Sequence, residues 1–296
     1  MKHVCLQCPR ACGVERSAAQ PGFCGVPLNF VVSRAALHRF EEPPISGTRG
    51  SGTIFFGGCN LRCVFCQNRE ISRGGVGREI DGNTLLSLML RLRDEGAHNI
   101  NLVTPTHYAA QLVPVLTRAK PLLGIPIVYN CGGYENPETL KQLDGLVDIY
   151  LPDFKYRSAD LSQKYSAAPD YCAVALTALE EMLRQTQTSI FSEDGLMKRG
   201  VLVRHLVLPG ARKDSIDVLR LLASRFGTHS FQISVMSQYT PSFAKDVPYP
   251  ELHRRVTSFE YESVTKEAET LGFEGYFQSR ASATELYTPD FHELTF

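Results

Sequence analysis

The stretch Gly52-Thr53-Ile54-Phe55-Phe56-Gly57-Gly58-Cys59-Asn60-Leu61-Arg62-Cys63-Val64-Phe65-Cys66 governs the reading of the whole chain. Its opening, Thr53-Ile54-Phe55-Phe56, is a short β-branched and aromatic run of the kind that buried strands carry. Two glycines follow, and without a Cβ the backbone can approach a neighbour closely. Three cysteines then stand at C-x3-C-x2-C. A loop leaving a strand end can wrap a compact inorganic cube and present three thiolates to it. Three is one fewer than the four cysteines an iron–sulfur cluster ordinarily takes, so one iron would stay open for a substrate or cofactor. Phe65, just ahead of the last cysteine, is placed to lie against a flat ring. The competing reading is a zinc site completed by a distant fourth ligand.

Beyond this loop, short apolar runs alternate with longer amphipathic segments. The runs are Ile100 to Val103, Pro126 to Tyr129, Asp148 to Leu151, Val201 to Val207 and Phe231 to Val235. Helices are predicted over Thr84 to Glu95, Tyr108 to Lys120, Pro137 to Leu143, Tyr171 to Thr186, Asp214 to Phe226 and Pro250 to Leu271, and Ser189 to Arg199 reads as a loop or hairpin. In the first of these helices Leu85, Leu88, Met89 and Leu92 share one face. Strand–helix alternation implies right-handed βαβ units around a parallel sheet, either doubly wound or a partial barrel related to the (β/α)8 fold. Both put the ligand site at the carboxyl ends of the strands.

Upstream, Met1 to about Phe40 shows little periodicity but holds Cys5, Cys8, Cys12 and Cys24 at C-x2-C-x3-C…C. Such a set binds structural zinc or a second iron–sulfur cluster, and zinc would staple a segment too short for its own core. It follows no strand, lacks the aromatic and carries its own fourth ligand, so it is distinct from the later triad. The Pro43-Pro44 and Gly47 cluster marks a boundary. The expected organisation is a cysteine-rich metal-binding extension (1–46), a core (47–245) and a C-terminal helical extension packed on it (246–296). Of the two remaining cysteines, Cys172 reads as a small buried hydrophobe and Cys131 lies at the predicted rim, by packing or for substrate handling.

With 31 basic and 31 acidic residues the chain has no global field to attract nucleic acid or an acidic membrane. No apolar run reaches membrane-spanning length and the start lacks a signal-peptide core. Clustered cysteines without a secretory signal point to metal chemistry in a reducing, cytoplasmic setting.

The C-x3-C-x-aromatic-C loop at the end of a first strand resembles the signature of the radical S-adenosylmethionine (SAM) superfamily. The likeness runs from about Gly52 to Val235 and is closest to proteins related to pyruvate formate-lyase activating enzyme. It implies a partial (β/α)6 TIM-like barrel. It also implies a 4Fe–4S cluster on Cys59, Cys63 and Cys66 whose open iron chelates SAM, with reductive cleavage to a 5′-deoxyadenosyl radical that abstracts hydrogen from a substrate.

Further strand ends are similar to that family's SAM contacts. They are Asn130 after the third strand, Asp153-Phe154-Lys155 after the fourth and Arg204 in the fifth. The alternative partner for Arg204 is an internal carboxylate, and for Asp153 and Lys155 a solvated ion pair. After the second strand the family carries a Gly-Gly-Glu-like segment that receives the SAM amino group. Here Val103-Thr104-Pro105-Thr106-His107 replaces it, leaving Thr104, Thr106 or exposed carbonyls as substitutes. His107 is either a SAM-contacting, proton-handling group or a helix-start residue.

A protein or peptide substrate, including a glycyl radical enzyme, and a flavodoxin- or ferredoxin-type electron donor would follow. The alternatives are radical modification of a peptide or small molecule, or a metal-stapled scaffold or electron carrier with no SAM chemistry.

Overall fold

The computed structural model describes residues 4–16, 21–73, 75–278 and 291. All six predicted runs are parallel strands: β2 (Ser51–Phe56), β4 (Ile100–Val103), β5 (Ile127–Cys131), β6 (Ile149–Pro152), β8 (Met197–Leu206) and β9 (Gln232–Met236). They lie side by side in that order within an open sheet. Helices return the chain between them: α3 (Gly82–Asp94), α4 (Ala109–Leu123), α5 (Pro137–Leu140), α7 (Tyr171–Thr186) and α8 (Arg212–Phe226), with α9 (Ser258–Leu271) after the last. This is the expected α/β partial barrel of six strand–helix units, unclosed at its edges.

The strands are mostly apolar at their centres because both faces are covered. Ile54, Phe56, Leu102, Tyr129, Tyr150 and Val203 belong to the large core under the helices. Val128, Ile149, Leu151, Met197 and Leu202 form a separate cluster with Ile45, from the single turn α1 (Pro43–Ser46). Alternation along each strand separates the two sets. Towards the carboxyl ends the inner positions turn polar. Register places Phe55 beside Val103, Val103 beside Asn130, and Asp153 beside Arg204, so these residues ring one mouth.

Several elements add to the sequence reading. The segment before Phe40 is not without strand structure: β1 (Phe30–His38) pairs antiparallel with β2 and extends the sheet. Its alternation is broken by Ser33-Arg34-Ala35-Ala36 and a register shift between Val32 and Arg34, which hides it from a period-2 search. The sheet therefore continues across the Pro43-Pro44 boundary, with β1 on one side of it and β2 on the other. The turn α2 (Arg69–Ser72) precedes the short strand β3 (Arg78–Ile80), which pairs with β1, and a polar helix α6 (Ala159–Ser166) precedes α7. The hairpin expected at Ser189 to Arg199 is β7 (Ile190–Phe191) on β8. The predicted helix from Pro250 is a 3₁₀ turn followed by α9, after which β10 (Gly275–Phe277) joins β9 in parallel. Of the predicted C-terminal extension, 279–290 and 292–296 lie outside the described residues.

One glycine holds the mouth together. Gly133 has φ +78°, and a Cβ there would stand 2.1 Å from the Asp153 carbonyl oxygen. Gly133→Ala must separate the segments that follow β5 and β6. A cost of roughly 3 kcal/mol is expected, seen as a fall of about 5 °C in the thermal midpoint.

Candidate active site

The chain leaves β2 at Phe56, and Gly57 and Gly58 carry it into the cysteine loop. The glycines serve the amino-terminal segment. The Gly57 N–H donates to the Val31 carbonyl (2.8 Å). At Gly58 (φ +80°) a Cβ would lie 2.6 Å from the Cys24 carbonyl oxygen. That same carbonyl accepts from the Cys59 N–H (3.4 Å), so the cysteine-rich segment rests directly on the loop that bears the triad.

Cys59, Cys63 and Cys66 line one wall of a cleft at the barrel mouth, with Phe65 beside them. The cleft encloses about 1230 Å³ including its open mouth. Each sulfur meets a polar neighbour. The Leu61 N–H donates to Cys59 Sγ (3.3 Å), Cys63 Sγ lies 3.0 Å from Ser166 Oγ, and Ser72 and the Asn68 backbone bond Cys66. Burial, then the neighbouring thiols, push the Cys59 and Cys66 thiols above their usual range. Three neighbouring sulfurs whose ionised forms repel one another suit a cationic centre. A 4Fe–4S cluster asks for one sulfur on each of three irons. The donor set therefore fits a 4Fe–4S cluster with one position free.

Facing the triad is a buried charge network. The Arg204 guanidinium lies 3.0 Å from Asp153 Oδ1, donates to Asn130 Oδ1 (2.6 Å) and reaches Glu41 Oε2 at 3.4 Å. Lys155 Nζ pairs with Asp153 Oδ2 at 2.5 Å. Burial alone would raise the Asp153 carboxyl, but Arg204 and Lys155 outweigh it and hold it below the usual range. The internal carboxylate that was the alternative partner for Arg204 is thus present twice over. Strand alternation projects Asp153 and Lys155 to the same side, and they form a buried pair, each side chain 16% exposed.

Two residues of this site escape sequence reasoning. Glu41 sits in the linker after β1, accepts from the side-chain amides of Asn101 (3.2 Å) and Asn130 (3.1 Å), and lines the cleft. Its only signal is an acidic pair beside two prolines. Ser166 is far from the triad in sequence and carries no motif at all.

The segment after β4 divides. Thr104 lines the cleft with φ +60°, and its N–H donates to the Asn130 carbonyl (2.8 Å). A β-branched residue there is strained, and it occupies backbone space that suits the glycine of the resembled family. Thr106 and His107 turn away into a 3₁₀ turn and are not on the cleft wall. Thr106 Oγ1 donates to Glu135 Oε1 (2.7 Å), and His107 Nε2 bonds the Gly57 carbonyl (2.8 Å). Burial and then Arg16 push His107 down to about 3, so its ring is neutral. Cys131 is buried at the end of β5 and lines the cleft, whereas half-buried Cys172 lies on α7 near Arg157.

In the amino-terminal set Cys8 and Cys24 are buried, Cys5 is half-buried and Cys12 exposed. A compact turn closes on them: the Ala11 N–H donates to the Cys8 carbonyl (2.9 Å), and Cys5 N–H to Val14 (2.9 Å). Cys24 lies within electrostatic range of Cys5 and Cys12. The far wall of the triad cleft is apolar, built from Phe55, Ile71 and Val103, with exposed Phe40 at its lip. Phe291 packs its ring edge-on to Phe55 (5.4 Å) within that group.

Behind the mouth, Glu135 is enclosed by Thr106, Tyr129 (3.0 Å) and Cys131, and burial raises its carboxyl to about 7 despite these bonds. A raised acid contributes stability that is whole below the unfolded value of 4.5 and lost as pH climbs through about 7. Glu135→Gln removes this dependence. Relative to the parent, the variant is expected to gain about 3 kcal/mol on going from acid to pH 8, read by urea unfolding at both pH values.

The model of the Radical SAM superfamily matches residues 53–173. The chain is 28% identical over 273 residues to Uncharacterized protein MJ0674 of Methanocaldococcus jannaschii, covering 90% of this chain and 74% of that one. The FeFe-hydrogenase maturase HydG from Carboxydothermus hydrogenoformans superposes with a TM-score of 0.51 at 12% identity, over 80% of this chain and 60% of that one. Streptococcus suis SuiB bound to S-adenosylmethionine gives 0.48 at 13% identity, over 74% of this chain. The chain spans about half of the SuiB length, 47%. With the opening strand delivering the triad, residues 53–173 match the Radical SAM superfamily from that strand onward, on a fold shared with HydG.

Proposed function

We propose that this radical SAM enzyme acts on a protein or peptide, with Cys59, Cys63 and Cys66 holding the 4Fe–4S cluster and SAM seated between them and the Asn130–Asp153–Arg204 network. The observation that carries this reading is the meeting of both sets in one cleft. When bound, the cluster and SAM supply one-electron cleavage of the sulfonium and hydrogen abstraction from the substrate. The chain supplies placement. Asp153 is held ionised and offers an acceptor to an ammonium, while Arg204, Lys155 and Asn130 offer donors to a carboxylate. Thr104 presents backbone and hydroxyl at the same rim. Phe65, braced edge-on by Tyr165 (6.2 Å) and Tyr239 (6.1 Å), offers a flat apolar face to adenine.

The apolar wall with Phe40 56% exposed suits a side chain of a protein or peptide substrate, and activation of a glycyl radical enzyme is the specific case that the resemblance favours. The electron comes from a flavodoxin- or ferredoxin-type donor. Cytoplasmic residence accords with the reduced cysteines such chemistry needs. Among the described residues no helix is long and apolar enough to cross a membrane.

Anaerobic reconstitution followed by SAM and dithionite should yield 5′-deoxyadenosine, and Cys63→Ala should abolish both cluster and product. A full cluster that forms none would reject SAM chemistry. Cys5, Cys8, Cys12 and Cys24 are proposed to bind zinc or a second cluster. Metal analysis of the full-length Cys59/Cys63/Cys66→Ala variant separates these: residual zinc marks a staple, residual iron and sulfide a second cluster.

A further inference from the structure

We infer that Ser166 and Tyr156 form a hydroxyl relay onto Cys63 that sets the reduction potential of the triad's cluster, an inference that rests on the cluster reading above. Cys63 Sγ lies 3.0 Å from Ser166 Oγ, and Ser166 Oγ lies 2.8 Å from the Tyr156 hydroxyl. Ser166 is 0% exposed and Tyr156 1%, so water does not serve either group.

Proton bookkeeping fixes the direction of both bonds. A sulfur bound to iron carries no proton and can only accept, so the single Ser166 O–H donates to it. Ser166 then has only lone pairs to offer, and the Tyr156 O–H donates to Ser166.

The relay is held by more than its own bonds. Arg10 donates through Nε to the Asn60 carbonyl (2.7 Å), through Nη1 to Ala167 (2.5 Å) and through Nη2 to Ser166 (3.1 Å). One guanidinium thus ties the cysteine loop to the carboxyl end of α6, fixing sulfur against hydroxyl. There α6 stops at once, because Ala167 turns left-handed (φ +50°) and its N–H closes on Gln163. A non-glycine residue in that region costs free energy that the surroundings must offset. The Val64 N–H also donates to the Tyr165 carbonyl (2.9 Å), a second tie between the same two segments.

Hydrogen bonds to cluster sulfurs favour the reduced, more negative state and raise its potential. Removing the hydroxyl should therefore make the cluster harder to reduce. A charge-assisted bond is worth roughly a tenfold change in the reduction equilibrium, or about 59 mV for one electron.

The test is a redox titration of the reconstituted full chain followed by electron paramagnetic resonance, with iron and sulfide counted in each sample. Ser166→Ala should titrate lower by about that amount, Ser166→Thr should restore the parent value, and Tyr156→Phe should shift the same way by less. Tyr156→Phe decides the matter where Ser166→Ala does not assemble its cluster. A parent-like potential in fully loaded Ser166→Ala, or in Tyr156→Phe where that variant decides, overturns the relay. Failure of the parent chain to assemble any cluster would instead overturn the reading of the triad.

Discussion

A guanidinium withdrawn from water must find acceptors, and much of the barrel mouth follows from how Arg204 finds them. Its partners come from three other segments: Asp153 beyond β6, Asn130 on β5 and Glu41 in the linker after β1. Stripping one partner from such a buried set costs about 3–5 kcal/mol, because the charge left behind has no water to turn to. The network therefore acts as a clamp. It fixes the relative height of adjacent strand ends, where an apolar layer would have tolerated sliding. It also keeps an ionised carboxylate and two cations in a site largely shut off from solvent, where electrostatic interactions are strong.

A second constraint joins the amino-terminal segment to the chemistry. Cys24 supplies the carbonyl under Cys59, Arg10 spans the cysteine loop and the end of α6, and Arg62 and Arg10 both lie over the Phe23 ring (4.3 and 4.1 Å). Arg16 reaches the His107 carbonyl and lies over the Tyr108 ring. Metal binding at the site proposed on the four cysteines would stiffen the segment that props the triad loop, linking its folding to order at the site.

The six barrel strands were legible because parallel strands covered on both faces read as short, mostly apolar runs, Ile127-Val128-Tyr129 being a plain case. β1 was not, since Ser33, Arg34 and two alanines interrupt its pattern. The polar segment Ala159 to Ser166 shows little periodicity, yet folds as α6 because Ser158 caps its start by accepting from the Leu161 N–H. At the site, alternation put Asp153 and Lys155 on one side and the family resemblance pointed to Asn130 and Arg204; all four line one mouth. Thr106 and His107 could not be placed in this way, because the 3₁₀ turn after Pro105 rotates them towards Glu135 and Gly57. Glu41 and Ser166 lie in segments whose approach to the cleft depends on tertiary packing, and no local pattern announces that.

An unclosed barrel leaves two free margins, and a margin of unpaired backbone is a template for other chains. Here both margins are trimmed. On one side the sheet turns antiparallel through β1 and ends on β3, three residues long and bearing Arg78 and Glu79. On the other, among the described residues, it ends on β10, also three residues long. A foreign strand would find only a few hydrogen-bonding groups at either end, with charge beside one of them. Stopping short of closure thus leaves the mouth open while giving fibrous self-association little to build on.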